Sequence, residues 1–328
     1  MLVGVIDLGT NSTRLLVADV EHGRVASELA RESRVTRLGR GVDLADQLAA
    51  EAIEETCAAV ADYVRRADEL DVERTSAIAT SAVRDATNAD AFLAELRERF
   101  ALRASTLTGE EEARLTYLGA VGGGSSPEGT LVVDVGGGST EIVVGSGESV
   151  AAHASLQVGA VRHTERHLRS DPPTPAELED LSSSVGEAIE LTARGWGADR
   201  EPVSSRPGGS SGDALSVRRP SLGIAVAGTA TSLAAIDLRL DPYDPDAVQD
   251  HVIALETAQR MCSELATVPL AERREITGLH PDRAPTIVAG VVILMQVMRV
   301  FHLTEVRISE RDLLHGAAVE LGEDQGGA

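Results

Sequence analysis

Two segments of this chain pair an acid with a glycine-rich turn: Asp7-Leu8-Gly9-Thr10-Asn11-Ser12 and Asp134-Val135-Gly136-Gly137-Gly138-Ser139-Thr140. Glycine lets the main chain approach an anion closely, and successive backbone N–H groups with a Ser or Thr hydroxyl can hold phosphate oxygens. A carboxylate in direct contact with phosphate would repel it, so Asp7 and Asp134 read as holders of a divalent cation or its waters. Short apolar runs flank each turn, Val3 to Ile6 and Leu15 to Val17 in the first case, Leu131 to Val133 and Ile142 to Val144 in the second. That pattern is strand, tight turn, strand, and its recurrence suggests two similar halves serving one phosphate chain. A third small-residue turn, Gly228-Thr229-Ala230-Thr231-Ser232, follows a strand-like run from Gly223 to Ala227 and opens a helix, where amides can face an anion.

The intervening sequence supplies elements to position these turns. The first half reads as short strands over residues 1 to 40, with turns at Glu21-His22-Gly23 and Arg37-Leu38-Gly39. A helix follows from Ala45 to Leu70 with Ile53, Cys57, Val60 and Val64 on one face. Then come a strand over Thr75 to Thr80, a helix over Asn88 to Phe100 and a strand over Arg103 to Leu107. Thr108 is placed to cap the next helix, with Glu111 at the capping-box position. The second half begins after Gly122 to Pro127 and repeats the theme, adding a strand over Val150 to Leu156 and a helix over Pro175 to Arg194. Residues 200 to 221 are rich in Ser, Gly, Pro and Arg and read as a surface loop or a partly disordered insert. Ile287 to Phe301 is broken by Gln296 and Arg299 and is too short for a bilayer, so a buried helix is expected there. A final helix, Asp312 to Leu321, is expected to pack back on the first half.

At 328 residues, 43% hydrophobic, the chain can form two domains with cores of their own. The start runs straight into a strand pattern without a basic stretch or cleavage site, and Cys57 and Cys262 sit in helix-like segments without metal-ligand spacing. A cytoplasmic protein with reduced thiols is the expectation, with no membrane contact. The net charge of −22 argues against nucleic-acid binding. All 30 basic residues are arginine, a type suited to bidentate phosphate contacts, although lysine avoidance also reflects genome composition or a salty habitat.

Seven segments in order, "VIDLGTNSTRLLVADV", "ATSAVRDATN", "TGEEEARLTYLGAV", "LVVDVGGGSTEIVVG", "VGAVRHTERHL", "AGTATSLAAI" and "ISERDLLHG", resemble the exopolyphosphatase / pppGpp phosphohydrolase (Ppx/GppA) family of the actin, Hsp70 and sugar-kinase superfamily. The resemblance implies an α/β fold of two ribonuclease-H-like domains, with mixed sheets flanked by helices and an active site in the interdomain cleft. Its expected domains are 1–121, completed by a C-terminal helix within 309–328, and 122–308. It is similar to the short, two-domain members that lack extra C-terminal helical domains, and it allows a homodimer. It further implies Glu112 as the base that activates water, with Glu111 as a second candidate, and Arg84 as the arginine that meets the phosphate chain. Taken alone, Glu110 to Glu112 is an acidic first helical turn favoured by the helix dipole. Asp134 and Glu141 would hold Mg²⁺, or Mn²⁺ in its place, with Asp7 in the same acidic ring. Phosphate ligands would be Gly9, Thr10, Asn11, Ser12, Gly136, Gly137, Gly138, Ser139, Thr140, Gly228 and Thr229, with Thr13 and Arg14 as weaker candidates.

The expected activity is release of terminal orthophosphate from inorganic polyphosphate, or hydrolysis of the 5′ γ-phosphate of pppGpp. A sugar kinase or a non-catalytic polyphosphate sensor would share the turns without needing the base. Arg162, Arg166 and Arg169 fit either a track for a polyanion or a solvated helix face. His163 and His167, at i and i+4 with no third ligand, read as a polar helix face.

Overall fold

The computed structural model describes residues 1–122, 126–196 and 220–323. The expected 200–221 loop lies outside them except for its last two residues. Contacts divide the chain into two units, Met1–Gly123 with Gly136–Ser139 and Arg311–Ala328, and Gly124–Val135 with Thr140–Glu310.

The first unit is built on a five-stranded sheet in the order β3-β2-β1-β4-β5, with β1 Leu2–Leu8, β2 Ser12–Glu21, β3 Arg24–Val35, β4 Arg74–Ala79 and β5 Arg103–Thr106. β1 and β2 form an antiparallel hairpin, and β4 and β5 add in parallel on the other side of β1. Strand alternation sends successive side chains to opposite faces. Ile6, Leu8, Leu15 and Val17 pack with Cys57, Val60, Tyr63, Phe92 and Leu96 of the helices Ala50–Glu69 and Ala89–Phe100. Val3, Val5, Leu16 and Ala18 pack with Leu115, Leu314 and Ala318 of the helices Gly109–Val121 and Leu313–Glu323. By the same alternation, Asp7 and Arg14 fall on this second face.

Those last two helices touch through glycine. A Cβ on Gly316 would stand 1.9 Å from the Leu115 carbonyl oxygen, and one on Gly119 would stand 1.9 Å from that of Asp312. The close approach fixes the helix that bears Glu112 against the segment that bears Asp312.

The second unit repeats the strand plan in a six-stranded sheet ordered β10-β11-β9-β6-β7-β8. Its strands are β6 Thr130–Val135, β7 Thr140–Ser146, β8 Ser149–Leu156, β9 Leu222–Val226, β10 Val252–Ala254 and β11 Glu305–Ile308. Read from the hairpin, β8-β7-β6-β9-β11 matches β3-β2-β1-β4-β5 of the first unit, so both units have the mixed sheet of the ribonuclease-H-like fold that the resemblance implied. Leu131, Val133, Ile142 and Val144 face a core with Leu181, Val185 and Ile189 of the helix Pro175–Gly195 and most of the helix Ile287–Val300. Asp134 and Glu141 point to the opposite face. Among the described residues no helix is long and apolar enough to cross a membrane.

Gly316→Ala is expected to lower the urea midpoint with an unchanged slope. An inserted methyl group that meets backbone costs about 1–3 kcal/mol, more than the helix-propensity gain of about 1 kcal/mol from replacing glycine.

Candidate active site

Both hairpins close in the same way. Gly9 N donates to Ser12 O at 3.1 Å and Gly136 N to Ser139 O at 3.0 Å. A side chain at Gly9 would bring its Cβ to 2.8 Å from the Ser12 oxygen, so the turn requires glycine. With the turns fixed, register pairs Asp7 with Arg14 and Asp134 with Glu141. The frame is common to both, and one charge is reversed.

In the first hairpin, Arg14 donates from Nε and Nη2 to Asp7 Oδ2, at 2.8 and 2.7 Å, and from Nη1 to Asp312. Asp312 begins the turn into the C-terminal helix and also caps it, its Oδ1 accepting from Leu314 N at 3.0 Å. His315 Nε2 meets Glu28 Oε1 at 3.0 Å, extending the network to β3. Asp7 is 3% exposed, Asp312 1% and His315 2%, so these charges are stabilised by each other rather than by water. Burial raises the Asp7 pKa against the pull of Arg14. Burial would raise Asp312 too, but Arg14 and His315 overcome it and hold that carboxyl well below its usual range. Burial opposes the charge on His315, yet Asp312 and Glu28 raise its pKa.

In the second hairpin two buried carboxylates occupy directly opposed positions on one face. Paired carboxylates are the oxygen donors that a hard divalent cation takes. Glu141 Oε1 accepts from Ser155 Oγ at 2.9 Å, which orients one carboxylate. The donor set of Asp134 and Glu141 therefore fits Mg²⁺. Asp7 fits less well: Oδ2 is committed to Arg14, and only Oδ1, buried and without a hydrogen bond, remains. Among the described residues no cluster of three or more acidic, His or Cys side chains could hold a metal, so a bound cation would complete its shell with water and phosphate oxygens.

Glu112 and Arg84 come from the carboxyl ends of β5 and β4. The helix Ser81–Arg84 follows β4 directly, and Arg84 Nη1 donates both to the Leu107 carbonyl and to Glu112 Oε2, each at 2.9 Å. Glu112 is 6% exposed. Burial pushes its pKa up to about 7, against the opposing effect of Arg84. A carboxylate of that basicity suits proton abstraction near neutral pH. Glu111 takes another part: it accepts from Thr108 N and Thr108 Oγ1, both at 2.8 Å, while Glu111 N donates back to Thr108 Oγ1. Those bonds hold its pKa down. The capping box thus removes Glu111 from the site and turns the next residue inward.

Gly9, Thr10, Asn11, Ser12 and Gly136 to Ser139 occupy the two turns as anticipated by their spacing. Thr140 does not present its hydroxyl there. It is wholly buried and donates to the Val158 carbonyl, as Thr13 is wholly buried and meets Thr36 at 2.9 Å. Gly228 and Thr229 lie inside the helix Ala227–Leu238, which starts earlier than the turn reading placed it, and Thr229 Oγ1 donates to the Val135 carbonyl at 3.3 Å. That hydroxyl ties the helix to the end of β6. Arg283, which the motifs did not single out, covers Gly228: a Cβ there would be 1.8 Å from Nη1. Arg14 and Asp312 were missed as a pair because 298 residues separate them.

On the helix Ala160–His167, Arg166 and Arg169 just beyond it are exposed and Arg162 is half-buried. The polar-face reading of the two histidines holds for only one of them. His163 is buried, accepts from Gly159 N at 3.3 Å and has its pKa pushed down to about 4 by burial, whereas His167 meets Asp180 at 2.7 Å. Cys57 and Cys262 are buried, and burial pushes both thiols up to about 11.

The model of the Ppx/GppA phosphatase family matches residues 16–198 and 214–323. The chain belongs to that family. It is 36% identical to exopolyphosphatase 2 of Mycobacterium tuberculosis, over 97% of this chain and 98% of the relative. It is 27% identical to the guanosine-5'-triphosphate,3'-diphosphate pyrophosphatase of Photobacterium profundum, over 98% of this chain and 59% of that protein. The crystal structure of the Ppx/GppA family member of Aquifex aeolicus superposes with a TM-score of 0.79 at 29% identity, covering 100% of this chain and 99% of the other. As a member of a phosphatase family with this fold, the chain is a hydrolase rather than a sugar kinase.

Arg14→Met should leave Asp7 and Asp312 buried without their shared cation. A loss of roughly 3–5 kcal/mol in urea unfolding is expected, partly recovered in Arg14→Met/Asp312→Asn.

Proposed function

We propose that this enzyme is an exopolyphosphatase that removes terminal orthophosphate from inorganic polyphosphate. The observation that carries the reading is the buried Glu112 held by Arg84, a base tuned near neutrality beside a cation suited to phosphate. Similarity to the M. tuberculosis exopolyphosphatase along nearly the whole of both chains supports polyphosphate as the substrate.

In the proposed reaction Glu112 takes a proton from a water as its oxygen attacks the terminal phosphorus in line. The terminal P–O–P bond breaks, and its electrons go to the bridging oxygen of the shortened chain. Arg84, oriented by the Leu107 carbonyl and Glu112, offsets charge on the non-bridging oxygens. Backbone amides of the Gly9–Ser12 and Gly136–Ser139 turns, with the Ser12 and Ser139 hydroxyls, orient the chain end. Asp134 and Glu141 would hold Mg²⁺, which when bound neutralises phosphate charge and aligns its oxygens. Asp7 positions Arg14 and adds negative charge near Glu112, which further raises the basicity of Glu112. A second reading, hydrolysis of the 5′ γ-phosphate of pppGpp, draws on the match to the P. profundum pyrophosphatase over 98% of this chain and needs the same groups.

Glu112→Gln should lower kcat on polyphosphate by about 10²–10⁴-fold while substrate affinity stays within a few-fold. In the parent enzyme kcat/KM should rise with pH and level off above about 7, since only ionised Glu112 accepts the proton. Side-by-side phosphate release from short polyphosphate, long polyphosphate and pppGpp separates the two substrates, and unchanged turnover in Glu112→Gln would sink both.

A further inference from the structure

Ser81 is a polar residue that the reaction above does not use. It opens the helix Ser81–Arg84, three residues before the arginine that holds Glu112. It is 1% exposed, and its hydroxyl is buried without a hydrogen-bond partner. Folding an unsatisfied hydroxyl costs free energy that alanine, of nearly the same shape, would avoid. Structure alone gives no return on that cost.

The direction of the hydroxyl is informative. A Cβ built on Gly138 would lie 2.2 Å from Ser81 Oγ and 3.0 Å from Thr10 Oγ1. Ser81 Oγ therefore rests on the glycine turn Gly136–Ser139, which groups with the first unit, beside the hydroxyl of the Gly9–Ser12 turn. Two hydroxyls converge on a main chain that lacks a side chain at that point, in the segment where phosphate oxygens are to be held.

We infer that Ser81 is a further phosphate ligand, donating its hydroxyl to a non-bridging oxygen of the terminal phosphoryl group; this rests on the phosphohydrolase reading. Gly138 covers the hydroxyl in the free enzyme, so the turn must shift for the contact to form, and Gly136-Gly137-Gly138 gives the main chain that freedom. The unsatisfied donor is then a group whose partner arrives with the substrate. Because Arg84 follows on the same short helix, the hydroxyl and the guanidinium would contact one phosphoryl group.

The test is Ser81→Ala in the full chain, measured for thermal unfolding without ligand, for binding of sodium tripolyphosphate with Mg²⁺ by calorimetry, and for steady-state phosphate release. A ligand role predicts a melting temperature equal to or above that of the parent, with kcat/KM lower and the tripolyphosphate Kd higher by about tenfold or more. A kcat/KM and a Kd within twofold of the parent would overturn it, leaving Ser81 as a small residue chosen for packing against Gly138. A melting temperature that falls along with activity would overturn it as well, since the hydroxyl would then serve the fold. A parent enzyme that releases phosphate from neither polyphosphate nor pppGpp refutes the hydrolase reading itself, an outcome distinct from an active parent with an indifferent Ser81→Ala.

Discussion

One backbone hydrogen bond, from a glycine N–H to a serine carbonyl three residues on, sets the geometry on which both hairpins depend. It closes Gly9 onto Ser12 and Gly136 onto Ser139 at nearly equal lengths. Because a strand pair has a side-chain period of two, this closure dictates which residues stand opposite each other. Asp7 must face Arg14, and Asp134 must face Glu141. A slip by one residue would send these charges into the packed faces.

The same frame thus yields two electrostatic outcomes. Arg14 neutralises Asp7 and reaches Asp312, so the C-terminal segment becomes part of the first hairpin's support, with His315 and Glu28 completing the network. The glycine contacts at 119 and 316 keep that segment close to the helix bearing Glu112. The second hairpin has an acid where the first has arginine, so two carboxylates stand opposite each other, the donor type that a hard cation takes. The balance of burial and charge likewise separates Glu111 from Glu112. The capping box holds the first at the surface with a lowered pKa, while desolvation raises that of the second to about 7.

The hairpins, the capping box at Thr108, the helix Ile287–Val300 and the two-unit plan were legible in the sequence, because each rests on local pattern or on motif order. Choosing between Glu111 and Glu112 needed tertiary burial, which three consecutive glutamates do not encode. The Arg14–Asp312 pair joins residues at opposite ends of the chain, and no local signal connects them. Hydroxyl direction was equally hidden: Thr140 and Thr229 have the residue type of phosphate ligands, yet each donates to a backbone carbonyl. Ser81 shows the converse, a residue passed over in its motif whose importance lies in a hydrogen bond that it does not make.

The central proposal is that one hairpin frame carries an acid paired with Arg14 in the first unit and, in the second, an acid pair that would hold a cation. Direct Mn²⁺ binding, followed by electron paramagnetic resonance in the parent, Asp7→Asn and Glu141→Gln, tests it without reference to turnover. Affinity should fall by about 10–100-fold in Glu141→Gln and stay within a few-fold of the parent in Asp7→Asn. The reverse ranking, with binding lost in Asp7→Asn and retained in Glu141→Gln, would contradict the claim.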